Sequence, residues 1–209
     1  MSLVKYNNNS ISAVTSAAAI PSGAMTLIKT LTASSSATLS FVDGSSDVVL
    51  DSTYPIYVFK FIDIHAATDG AMFEFNMSAD SGSNYNVTKT TTVFFAANPE
   101  DGGSHEFGYD GGSDLAQGTG FQRLIGGASS GSDNDQSSVG NLHLFNPSST
   151  TFVKHFISRT NTIINSDKSC DSYIAGYGNT TSAIDAVQFK MSSGNIDAGT
   201  IKLYGIKDS

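Results

Sequence analysis

The 209-residue chain predicts an all-β fold, a two-sheet antiparallel β-sandwich of jelly-roll type with a short N-terminal arm. Three observations carry that prediction. From Ala24 to Ile206 apolar residues recur with the period of two that marks pleated strands, and the 3.6-residue helical period is missing. Turn signals recur at close to the spacing of about 8–12 residues typical of sandwiches. Ser, Thr, Gly and Asn are plentiful, Trp is absent and only 14% of residues are charged, a composition of short strands joined by polar turns. An apolar content of 39% supplies a core, and the length suits one undivided β domain.

In order, residues 1–24 read as an arm or attachment segment. Its SAVTSAAA run at 12–19 favours one or two helical turns before Pro21 and Gly23 stop them. The sandwich domain follows over 25–209. MTLIKTL and ATLSFV read as strands, the second with Leu39 and Phe41 on one face, and Asp43-Gly44 is a turn signal. VVL at 48–50 leads into the stretch around which the domain is organised. There Pro55 opens a strand, and Ile56 to Ile62 is apolar except at Lys60, as in a central strand covered on both faces. Beyond the polar HAATDG, Ala71, Phe73, Phe75 and Met77 alternate with Met72, Glu74, Asn76 and Ser78. This second run reads as the half-exposed antiparallel partner of the first.

Tyr85 to Ala97, with its KTTTVFF centre, is a further strand. Asn98 to Asp114 is the most loop-like segment, and a second polar loop at 126–138 follows a short strand at Phe121 to Ile125. Both loops are natural contact surfaces. Strands follow at 139–145 and 150–158, separated by an Asn146-Pro147-Ser148 turn, with weaker candidates at 161–164 and 171–177. Ile184 to Met191 and Thr200 to Ile206 close the chain as an expected hairpin.

The charge balance, 19 acidic against 11 basic residues, gives a net −8. Without a basic stripe to release counterions, nucleic acid is not an expected partner, and no apolar run is long enough for membrane insertion. The N-terminus lacks the apolar core of a signal peptide, so synthesis in a cytoplasm is expected. Cys170, the single cysteine, excludes an internal disulfide and reads as a small core residue.

No motif specifies an enzyme, a cofactor or a metal. Gly127-Ala-Ser129-Ser-Gly131 matches the nucleophile pattern G-x-S-x-G, but the GSDNDQSS that follows is a poor helix, and that chemistry needs a strand-to-helix turn. His65, His105, His143 and His155 have no helical metal-ligand spacing; His143 and His155 read as a cross-strand polar pair. Asp101, Asp110 and Asp114 in one loop, and Asp133 and Asp135 in the other, offer oxygen donors for calcium but follow no EF-hand register. Glu74 and Glu106 are not placed as a glycosidase pair. Tyr85, Phe107, Tyr109 and Phe121 border the loops, where aromatics either stack on sugars or plug the sandwich ends. The binding surface expected from the loops is Phe107, Tyr109, Asp110, Asp114, Asp133 and Asp135.

Four long stretches carry a resemblance: SSATLSFVDGSSDVVLDSTYPIYVFKFIDIHAATDGAMFEF, DSGSNYNVTKTTTVFF, LHLFNPSSTTFVKHF and SAIDAVQFKMSSGNIDAGTIKLYGIK. They resemble a group of virion structural proteins from marine tailed phages, including phages of cyanobacteria, over about Leu31 to Lys207. The resemblance implies a non-enzymatic virion protein in a tail fibre, another appendage or a head decoration. It implies other virion proteins as partners, a homo-oligomer (a trimer above all), and a possible contact with host surface glycans as a lectin-like module. It carries over no site residues. A chain apolar on both faces at Ile56–Ile62 fits self-association as well.

Overall fold

A computed structural model of the chain describes residues 25–207. The arm expected over 1–24 lies outside the described residues.

Twelve strands build the described domain: β1 (Met25–Thr32), β2 (Leu39–Val42), β3 (Ile56–Ala66), β4 (Phe73–Ser78), β5 (Lys89–Pro99), β6 (Glu106–Tyr109), β7 (Gln122–Arg123), β8 (Ser138–Phe145), β9 (Lys154–Ile164), β10 (Lys168–Gly178), β11 (Ala186–Met191) and β12 (Ile196–Ile206). They form an eight-stranded sheet, β1-β12-β3-β8-β9-β10-β5-β6, and a four-stranded sheet, β2-β11-β4-β7, with antiparallel pairing throughout. The all-β sandwich is therefore as expected. Its winding is that of a jelly roll: β1 pairs with β12, β2 with β11, β3 with β8 and β4 with β7, a long hairpin rolled so that successive strands alternate between sheets. Two hairpins, β5–β6 and β9–β10, are added to one side of the large sheet and widen it.

The structure corrects four sequence expectations, the first two through this winding. β3 and β4 do not pair, and neither do β11 and β12, because strands adjacent in a jelly-roll sequence cross the core instead of sharing a ladder. Phe61 of β3 meets Phe73 of β4 edge-on, with ring centroids 5.1 Å apart. The β4 strand is also buried on both faces, not half exposed. Its polar side is covered by the following segments, where Asn76 Nδ2 donates to the carbonyls of Tyr85 (2.6 Å) and Thr119 (3.0 Å). A short strand, β6, lies within the segment expected to be all loop. Val48 and Leu50, outside any strand, are buried as members of the main core cluster.

The core is aromatic, and Phe189 of β11 is its hub. Its ring lies 5.2–6.2 Å from those of Phe41, Phe59, Phe61, Phe73 and Phe75, drawn from both sheets. Such edge and offset contacts add to the burial of large apolar area. Cys170 is fully buried as expected; its thiol donates to the Gly126 carbonyl at 3.3 Å, and burial pushes its pKa up.

Two lysines are also fully buried. Lys89 Nζ donates to Asn76 Oδ1 at 2.5 Å and to the Val87 carbonyl at 2.7 Å. Lys154 Nζ donates to the carbonyls of Phe152 (2.8 Å) and Thr180 (3.2 Å). Among the described residues no carboxylate accepts from either, and desolvation lowers both pKa values, that of Lys89 to about 7.

Candidate contact face

The outer face of the eight-stranded sheet carries the surface chemistry of the domain. Tyr57, Phe59 and Phe61 point into the core, so alternation turns Val58, Lys60 and Ile62 outward. The same logic applied strand by strand places eight of the nine large hydrophobics exposed among the described residues on this one face: Met25, Leu27, Ile62, Phe94, Phe107, Tyr109, Val139 and Ile157. The ninth, Phe152, sits in the β8–β9 loop. Exposed apolar side chains collected on one sheet face, interspersed with Lys60, Lys202 and Arg159, make it the candidate contact surface of the described domain.

One cross-strand row runs the full width of the face. On one half, Tyr109 of β6 opposes Phe94 of β5, which opposes Tyr173 of β10, which opposes Arg159 of β9. The row continues through Asn141 of β8 to Lys60 of β3, Lys202 of β12 and Thr30 of β1. The aromatic half is preorganised. Phe94 and Tyr173 stack in parallel, 4.8 Å apart and 3° off plane, and the Arg159 guanidinium lies 4.9 Å from the opposite side of the Tyr173 ring. Arg159 is itself held by a bidentate pair with Asp171, at 3.0 and 2.7 Å, which keeps the Asp171 carboxyl below its ordinary range. Shallow depressions of about 370 and 480 Å³ lie beside this stack, over Ile157 and along Thr90–Thr92 and Tyr177.

The other half is basic. Lys60 and Lys202 stand directly opposite each other, an arrangement that costs stability in a sheet. Among the described residues neither forms an ion pair, although Lys60 Nζ lies 5.7 Å over the Tyr204 ring. Burial, aided by the Lys60 charge, lowers the pKa of the neighbouring His143.

The residues expected from sequence are only partly brought together. Phe107 and Tyr109 lie on the edge strand β6, 81% and 58% exposed, on the outer face. The Tyr109 hydroxyl donates to Asp114. Asp110 ties the two loops to each other: its carboxylate accepts from the N–H of Gly127 (2.6 Å) and of Gly112 (3.0 Å). Burial pushes that carboxyl up, but the Gly127, Ser113 and Gly112 donors and the Arg123 charge outweigh it and hold the pKa low. Asp110 is thus a structural clasp. Asp133 and Asp135 are exposed in the other loop, where the Asp133 carbonyl accepts from His65 Nε2 at 3.1 Å. Among the described residues no three His, Cys, Asp or Glu side chains converge in a way that could hold a metal.

Tyr85 and Phe121 do not join Phe107 and Tyr109 in a platform. Both are half-buried, and Phe121 lies under Lys190, with Nζ 4.6 Å from its ring. His143 and His155 do not face each other: the register sets His143 against Ile157 and His155 against Tyr177. Ser129 sits in a loop that leads into β8, with no helix after it. Phe94, Tyr173, Arg159, Lys60 and Lys202 were not expected as a group. Each strand's alternation marks its outward positions, but only the pairing of strands distant in sequence aligns them. Comparison with protein-family models, with curated proteins and with solved structures finds no match to this chain.

Proposed function

We propose that the chain is a non-enzymatic structural component of a tailed-phage particle, in a tail fibre, another appendage or a head decoration. The observation that carries the reading is the outer face of the large sheet, where exposed apolar and aromatic side chains gather on a rigid jelly roll. Such a face suits burial against other protein in an assembly. The four stretches that resemble virion structural proteins of marine tailed phages support the same use. Homo-oligomerisation and contact with other virion proteins follow from that role.

Quantitative mass spectrometry of purified particles tests the proposal. Stoichiometric copies per particle are expected, and absence of the chain from particles overturns it. Removing residues 1–24 tests the arm as the attachment segment: a folded protein that no longer joins particles is expected, and full occupancy would place the attachment in the sandwich.

A second reading, recognition of a host glycan, rests on Phe107 and Tyr109, whose exposed rings stand on β6 within the 98–114 segment. It predicts saccharide binding that Phe107→Ala with Tyr109→Ala abolishes. Unchanged binding by that variant removes it.

A further inference from the structure

We infer that the end of the sandwich at which Lys89 and Lys154 are buried is an acid-opened latch: both amines fasten the surrounding segments as neutral groups, and protonation loosens those segments before the rest of the domain.

The two lysines stand in one cross-strand row. Lys89 opens β5, Lys154 opens β9, and both pair with Gly178, the last residue of β10, which lies between them. Cross-strand partners share a face, and both side chains are fully buried on the inner one. A side chain at Gly178 would run into Met77 and Val87, whose methyl carbons come within 2.9 and 3.0 Å of a Cβ built there. The row closes the core at this end, with the 79–88, 146–153 and 179–183 segments beyond it.

Each amine ties several of those segments together. Lys89 Nζ holds Asn76 Oδ1 and the Val87 carbonyl, and Asn76 Nδ2 in turn holds the carbonyls of Tyr85 and Thr119. Lys154 Nζ joins the carbonyl of Phe152 to that of Thr180. Two acceptors match the two N–H groups of a neutral amine, whereas an ammonium brings a third donor and a full charge. Among the described residues neither amine has a third acceptor or a carboxylate partner. Carboxylates on the segments packed around the row are engaged elsewhere: Glu74 with Lys190, Asp80 with Ser78 and Asn84, Asp114 with Tyr109, and Asp185 with the Ser81 N–H. Tyr85 faces the network through its carbonyl, and His155 and Tyr177 turn to the outer face.

Desolvation acts in the same direction on both amines and brings the pKa of Lys89 from 10.5 to about 7. Opening returns the amine to water and to its ordinary value. The open form therefore binds a proton that the closed form lacks, and the latch gains stability as pH rises from about 7 towards 10.5.

Amide exchange of the full-length chain, measured at about pH 6 and about pH 8 and corrected for the intrinsic rates, tests the latch. The reporters are the N–H groups of Val87, Asn179 and Ile184, which donate to the carbonyls of Met77, Thr88 and Pro147. Their opening constants should be about tenfold larger at the lower pH. At that pH they should also exceed those of Ser36, Gly70 and Ile163, whose N–H groups are bonded at the opposite end of the sandwich. Lys89→Met should keep the far-UV spectrum and lose the pH dependence at Val87. The comparison within the native chain needs no variant.

Opening constants that do not change with pH overturn the inference. So do equal constants at the two ends at the lower pH, which would mean that these segments open only with the whole domain. A pH dependence at Val87 that survives Lys89→Met overturns it as well. None of these results touches the particle reading, which mass spectrometry of particles tests separately.

Discussion

Lys89 offers the sharpest test of the core. Its amine is fully buried, donates to Asn76 Oδ1 and the Val87 carbonyl, and has no carboxylate partner among the described residues, and desolvation takes its pKa from 10.5 to about 7. Between those values the unfolded chain binds a proton that the folded chain does not, and stability therefore rises with pH across the window. The full displacement corresponds to roughly 5 kcal/mol, of which about 3 kcal/mol falls between pH 6 and pH 9.

The perturbation is Lys89→Met, which keeps most of the volume and removes the titrating group. At pH 6 the variant sheds the cost of a buried ammonium but leaves two acceptors unpaired, at about 1–3 kcal/mol each, so the two proteins should be close in stability. At pH 9 the native amine is neutral and hydrogen-bonded, and the variant should be the less stable by about 3 kcal/mol. Urea unfolding at several pH values reads the difference. The range stops near pH 9 because burial raises the pKa of Tyr57, which makes its contribution fall as pH climbs past the ordinary tyrosine value. Parallel stability curves for the two proteins would refute the reasoning.

Three further outcomes follow from the geometry. Phe189→Ala empties the hub of the aromatic core and should cost about 3–5 kcal/mol, read as a lower urea midpoint with an unchanged slope. Asp110→Asn should weaken the clasp between the 98–114 and 126–138 loops, raise amide exchange at Gly127, and remove a stabilisation that the native protein holds above the ordinary carboxylate pKa and loses as pH falls through its lowered one. Ser129→Ala should leave any ester or polysaccharide hydrolysis measured in a preparation unchanged, because Ser129 lies in a loop with no helix behind it; a loss of hydrolysis would restore the nucleophile reading.

Strands were legible in the sequence wherever period-two alternation met β-branched and aromatic residues, as in β3, β5, β8 and β9. Their partners were not, because alternation says which residues share a face and nothing about which strand lies beside which. Hence β3–β4 and β11–β12 read as hairpins, although the jelly roll sends each of their members to a different sheet. β6 was hidden because EFGY has four residues inside a Gly- and Asp-rich segment and pairs on one side only. The burial of Lys89 and Lys154 left no trace in the pattern, since it depends on carbonyls that approach only in the fold. Of the expected site, Phe107, Tyr109, Asp133 and Asp135 are exposed, and Phe107 and Tyr109 lie on the outer sheet face. The rest of the contact row required an alignment across eight strands.

The most direct test of the account is a density map of the purified particle at a resolution that traces strands. The account predicts that the chain is found in regular copies, with the outer face of the eight-stranded sheet covered by other protein of the particle. A particle map without this chain, or one in which the outer face of the large sheet stands bare to solvent, would contradict it.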